Sequence, residues 1–161
     1  MNDEDQGGEM GVMLVVDSEG YVAKSVADAF AGKGGFPPAI ERRTGRSAIA
    51  ALQEGIWIDI AVIDDRLADM DGRELIVSLR KLVPELPVIM ISGRHSVEAY
   101  LKAINAGAYE FVARPVSHPV LRRIINAALE DAALSRRHRP ELHLKGDMMP
   151  LRPSVSSGGR S

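Results

Sequence analysis

The chain has 161 residues, with 22 Asp plus Glu against 20 Lys plus Arg, and no cysteine. This length suits one domain with a substantial core, and the missing thiols exclude disulfide scaffolds, thiolate zinc sites, iron–sulfur clusters and cysteine nucleophiles. The formal net charge of −2 argues against a domain-wide nucleic-acid surface, yet it hides an acidic head over residues 1–10 and a basic tail over residues 136–161.

Val12 to Val16 is a short apolar run between Gly11 and Asp17, the pattern of a strand buried on both faces. Val22, Val26, Ala29 and Phe30 then recur at helical spacing until Gly32 and Gly34-Gly35 stop the helix. A weak strand follows Pro37-Pro38 over Ala39 to Arg43. After the Thr44-Gly45 turn, Ser47 is placed to cap a short helix carrying Ile49 and Leu52. Ile56 to Ile63 is a central-strand candidate interrupted only by Asp59 and closed by Asp64-Asp65. Asp71 and Glu74 have the spacing of a capping box, ahead of a helix with Leu75, Ile76, Leu79 and Leu82 inward and Pro84 and Pro87 beyond it. Val88 to Ile91 is the next strand. Val97, Leu101, Ile104 and Ala103 mark a helix stopped at Gly107, and Tyr109 to Ala113 a fifth strand. Leu121, Ile124, Ile125, Ala128, Leu129 and Ala132 complete a long amphipathic helix, and beyond Ser135 the pattern dissolves.

Five strands alternating with five helices imply a doubly wound α/β domain, an open parallel sheet with helices on both faces. Ligands of such sheets bind at the carboxyl ends of the strands. That rule selects Asp17, Ser18, Asp64, Asp65, Ser92 and Arg114. An acid after a strand is often only a helix cap. Two acids, a hydroxyl and a fixed cation on four strand ends nevertheless make a phosphate and magnesium site.

Four stretches, MLVVDSE, DIAVIDDRLADMDG, PVIMISG and AGAYEFVARPV, together resemble the receiver domain of two-component response regulators. The resemblance implies a flavodoxin-like (βα)5 fold with strand order 2-1-3-4-5. It makes Asp64 the phosphoacceptor, taking a phosphoryl group from a sensor histidine kinase or phosphotransfer protein, with Mg2+ on Asp17, Asp64 and the backbone carbonyl of Arg66. Ser92 matches the hydroxyl that binds the phosphoryl group, Phe111 the aromatic switch position, and Arg114-Pro115 a Lys-Pro pair whose peptide bond is commonly cis. It also implies a signalling module rather than an enzyme, whose output surface is helix 4, strand 5 and helix 5, including Tyr100 and Arg122 or Arg123. A downstream protein or a second copy would bind there.

The chain departs from the family twice. Ser18 stands where a second acid normally touches the metal, with the adjacent Glu19 expected to point elsewhere, and Arg114 replaces Lys. The coincidence suggests that Arg66 or Arg114 supplies part of the metal's charge. The alternative is a degenerate receiver that docks without phosphorylation.

Other motifs carry little. GKGG at Gly32 to Gly35 lacks the spacing and hydroxyl of a P-loop. Leu67 and Ser78 fall where a calcium loop needs acids, and His95, His118, His138 and His143 share no ligand spacing. The acidic N-terminus is unlike a secretory signal, and no apolar stretch reaches the ~20 residues of a membrane span, so a cytoplasmic location is expected. The expected divisions are an acidic, disordered segment at 1–10, a receiver at 11–135, and a flexible basic tail or truncated linker at 136–161. Nucleic-acid binding is not expected.

Overall fold

The computed structural model describes residues 11–138; the acidic head and the tail beyond His138 lie outside the described residues. Strands β1 (Met13–Val16), β2 (Ala39–Arg42), β3 (Ile60–Asp64), β4 (Val88–Ser92) and β5 (Glu110–Ala113) alternate with helices α1 (Tyr21–Ala29), α2 (Gly45–Gln53), α3 (Gly72–Leu82), α4 (Val97–Ala106) and α5 (His118–His138). Every neighbouring pair is parallel and the order is β2-β1-β3-β4-β5, the doubly wound arrangement expected from the alternation.

The three central strands are buried at every residue. Side chains alternate across a strand, so one apolar run feeds two cores. Leu14, Val16, Ala61, Ile63, Val88 and Met90 meet α2, α3 and α4 through residues such as Leu52, Leu75, Leu79 and Ala103. Met13, Val15, Ile60, Val62, Ile89 and Ile91 meet α1 and α5 through Val22, Val26, Leu121 and Ile125. Each fully buried Leu or Ile contributes about 1.5–3 kcal/mol. With both faces apolar, a one-residue slip costs little in side-chain sorting; the polar strand ends resist it, because Asp59 or Asp64 would be drawn into the core.

Several local expectations change. β3 starts at Ile60 because the Asp59 carboxylate accepts from the Val12 amide at 2.8 Å and from Trp57 Nε1 at 3.2 Å, which closes the amino edge of the sheet. Thr44, not Ser47, caps α2: its Oγ1 accepts from the Ser47 amide at 3.1 Å. The Asp71/Glu74 capping box of α3 is present. Leu82, Val97 and Leu101 are exposed, and α4 fully buries only Ala103. The reason is position: α4 rests mainly on α3 and on the edge strand β5, which cover a narrow stripe. Arg122 Nη1 donates to the Ala29 carbonyl at 2.9 Å, so this side chain closes the end of α1. α5 continues to His138, past the end of its apolar stripe.

At the first position of α3, a Cβ on Gly72 would lie 2.7 Å from the Asp64 carbonyl oxygen and 2.9 Å from Asp65 Cα. Both are backbone atoms, so Gly72→Ala is expected to destabilise the fold by about 1–3 kcal/mol. Urea denaturation reads this, and an unchanged midpoint would contradict it. Tyr109 hydroxyl donates to Asp131 Oδ2 at 2.8 Å, joining β5 to α5. Burial, then this bond and the surrounding acids, push the Tyr109 phenol from 10.0 up to about 12. The folded state therefore holds the proton more tightly than the unfolded one, and the resulting stability is present below pH 10 and lost as pH rises to about 12. Tyr109→Phe should flatten that part of the stability profile; identical slopes in both proteins would refute the link.

Candidate functional site

Parallel strands bring their carboxyl ends to one edge. Asp64 is the last residue of β3 and Ser92 of β4, while Asp17 and Arg114 directly follow β1 and β5. Ladder bonds hold this edge in register: the Asp65 amide donates to the Ile91 carbonyl at 3.1 Å and the Arg114 amide to the Ser92 carbonyl at 2.8 Å. Asp64 is buried. Its Oδ1 accepts from Arg114 Nη2 at 3.0 Å and from the Arg66 amide at 3.4 Å. Burial, then the adjoining Asp65 carboxyl, push the Asp64 carboxyl up to about 6 against the opposing pull of Arg114 and the Arg66 amide. Ser92 Oγ donates to Asp65 Oδ2 at 2.8 Å and accepts from the Arg94 amide at 2.9 Å. The Arg114-Pro115 peptide is cis, as the Lys-Pro likeness implies.

These groups open on a cavity of about 320 Å³ lined by Glu19, Asp64, Asp65, Arg66, Gly93, Arg94 and Arg114. Asp65, Arg94 and Glu19 were not assigned roles from sequence. The strand ends at Asp64, so strict alternation no longer governs Asp65, which turns to the same side. Glu19 faces the cavity, contrary to expectation, because the chain bends into α1 directly after Asp17. Phe111 lies behind Ser92, beside a smaller hollow also lined by Met90, Ala99 and Lys102, and its ring meets Tyr100 edge-on at 5.9 Å.

Asp17 is not among the cavity-lining residues. Its Oδ2 accepts from the Val22 and Ala23 amides at 2.7 and 3.1 Å, and its Oδ1 from the Glu19 amide at 3.1 Å. The carboxylate caps α1, the role that an acid after a strand often has. Ser18 is turned aside too. Its Oγ donates to the Arg43 carbonyl at 2.8 Å and accepts from the Ala68 amide at 3.0 Å, while Arg43 Nη2 donates to the Ser18 carbonyl at 2.9 Å. One serine thereby ties together the loops after β1, β2 and β3.

The family model described as the response regulator receiver domain matches residues 13–126. The chain belongs to this family. Among relatives, the nitrogen assimilation regulatory protein NtrX of Azorhizobium caulinodans is 35% identical over 79% of this chain and 28% of its own length. The regulatory protein AtoC of Escherichia coli is 28% identical over 79% of this chain and 27% of its own. The chain therefore spans less than a third of either relative. The beryllofluoride-activated NtrC4 receiver dimer superposes with a TM-score of 0.67 at 31% identity, covering 76% of this chain and 99% of that one. A CheY-like receiver from Methanospirillum hungatei gives 0.67 at 26% identity, covering 78% and 98%. Receivers are signalling modules, and they generally bind Mg2+ at the phosphorylation site.

This receiver's residues fit that ion poorly. Asp17 Oδ2 is filled by two amides, Ser18 faces its neighbouring loops, and Asp64 Oδ1 is paired with a guanidinium. Among the described residues, no three of His, Cys, Asp or Glu converge as a metal-holding group. No helix there is long and apolar enough to cross a membrane.

Because Asp17 acts as a cap, Asp17→Ala should cost about 0.5–2 kcal/mol of stability even with no divalent cation in the buffer. Thermal unfolding in chelator tests this; equal melting of the two proteins would mean that the amide bonds contribute nothing. Ser18→Ala should speed hydrogen exchange of the Ala68 amide, and unaltered exchange would dismiss the tie between loops.

Proposed function

We propose that this receiver, residues 11–135, accepts a phosphoryl group on Asp64 from a sensor histidine kinase or phosphotransfer protein and thereby switches a protein-binding face. The observation that carries this reading is the buried Asp64 carboxylate at the mouth of a cavity bordered by three guanidinium-bearing residues, with Arg114 at 3.0 Å. In the transfer an Asp64 oxygen bonds to phosphorus, the donor's phosphorus–nitrogen bond breaks, and the leaving imidazole takes up a proton. Such a step rests on positioning and on neutralising the phosphoryl oxygens.

The switch would begin at Ser92. Its hydroxyl now bonds Asp65, and a phosphoryl oxygen on Asp64 offers a stronger, charged acceptor. Drawing Ser92 toward it would shift the loop after β4 and change the space for Phe111, which touches Tyr100 on α4. Tyr100, Val97, Leu101 and Tyr109 are exposed around that contact, which supports α4, β5 and α5 as the surface for a downstream protein or a homodimer. A place in a longer cytoplasmic regulator agrees with the chain's share of its relatives.

Incubation with acetyl phosphate, read by intact-protein mass, should add one phosphoryl group to the wild type and none to Asp64→Ala. Label on the variant, or no label on either protein, would overturn the assignment; the latter outcome favours a docking module that works without phosphorylation. Ser92→Ala should still be labelled while the Phe111 ring resonances stop responding to label.

A further inference from the structure

Resting on Asp64 as acceptor, we propose that guanidinium charge takes the place of the divalent cation at this site, with Arg114 as the principal phosphoryl-binding group and Tyr21 as the residue that positions it. The structure distinguishes the two arginines that the sequence left as candidates. Arg114 reaches the acceptor itself, at 3.0 Å from Asp64 Oδ1, whereas only the backbone amide of Arg66 approaches that oxygen, at 3.4 Å. The Arg114 side chain is also held from behind. Its guanidinium carbon lies 4.3 Å from the centre of the Tyr21 ring, a distance at which a cation and a ring face attract. Tyr21 is in turn anchored: it opens α1, the helix capped by Asp17, and its hydroxyl accepts from the Val116 amide at 3.3 Å, just past the Arg114-Pro115 bond.

Charge and hydrogen bonding agree with this role. A guanidinium offers five N–H donors in a planar fork suited to phosphoryl oxygens. Arg114 uses one on Asp64, and its Nε, buried, has no hydrogen-bond partner. Around the cavity, Arg66, Arg94 and Arg114 face Glu19, Asp64 and Asp65, an even balance. Converting Asp64 to an acyl phosphate replaces one negative charge by about two, so the lining ends about one charge negative without any metal. Conversely, the carboxylates that the likeness assigns to a cation are engaged: Asp17 with amides at the start of α1, Asp64 with Arg114.

Two measurements on the full chain test the proposal. Manganese binding, followed by the electron paramagnetic resonance signal of the free ion, should show no saturable site at Asp64 concentrations where magnesium normally acts, and Ser18→Asp should raise that affinity. Saturable wild-type binding that Asp64→Ala abolishes would overturn the proposal. In the second measurement, acetyl phosphate should label the wild type at similar rates in chelator and in magnesium. Arg114→Ala should lose about 100-fold in rate, the cost of removing one preorganised donor to a phosphoryl or oxyanion group. Arg114→Lys controls for folding and should recover part of the rate. Tyr21→Phe keeps the ring and loses only its anchor to Val116, so it should label close to the wild-type rate, whereas Tyr21→Leu, which loses the ring face, should label more slowly than Tyr21→Phe. Labelling that vanishes in chelator sinks the guanidinium proposal and leaves Asp64 as acceptor; labelling absent under both conditions sinks both.

Discussion

The ion pair between Asp64 and Arg114 spans the carboxyl edge of the sheet from β3 to the end of β5, and most of what is distinctive about this receiver depends on it. Forming it requires β4 between the two strands in correct register, which brings the ends of β3 and β5 to one edge. It also requires both groups to leave water. A buried carboxylate without a partner would cost several kcal/mol. Here burial raises the Asp64 carboxyl to about 6 against the opposing pull of Arg114.

Around this pair, residues that look like surplus acids and hydroxyls are structural. Asp17 holds the start of α1, and Asp69 does the same for α2 from a distance. The Asp69 carboxylate accepts from the Gly45 and Arg46 amides at 2.9 Å each. Those bonds outweigh the desolvation that opposes them and keep its carboxyl below the ordinary value. Together with Ser18 and Arg43 they knit the loops after β1, β2 and β3 into one rim. The rim is thus cross-linked on the side of the missing acid, whereas exposed apolar side chains gather on α4. Ser92, Phe111 and Tyr100 lie in sequence between the Asp64–Asp65 edge and that second side.

Much of this was legible in the sequence, for a simple reason. Strands buried on both faces must be apolar throughout, helices between two layers must carry a stripe, and the alternation of the two leaves few topologies. The order of the elements and the two-sided cores follow from continuous apolar runs alternating with stripes of period 3.6, and the parallel sheet they imply brings Asp64, Ser92 and Arg114 to one edge. Boundaries were less legible. Whether Thr44 or Ser47 caps α2 turns on backbone angles, and Leu82, Val97 and Leu101 keep helical spacing although little lies opposite them.

The roles of individual polar groups were beyond reach of pattern alone. Asp17 has the same position and residue type whether its oxygens face a cation or three backbone amides. Glu19 and Asp65 enter the cavity because the chain turns at the strand ends, where alternation stops applying. Which arginine meets Asp64 is likewise a matter of reach and stacking across residues distant in the chain, Tyr21, Asp64 and Arg114, brought together by the fold. Local composition constrains the backbone because each residue's burial is paid for locally; the partner of a charge is set by whichever distant group packing delivers to it.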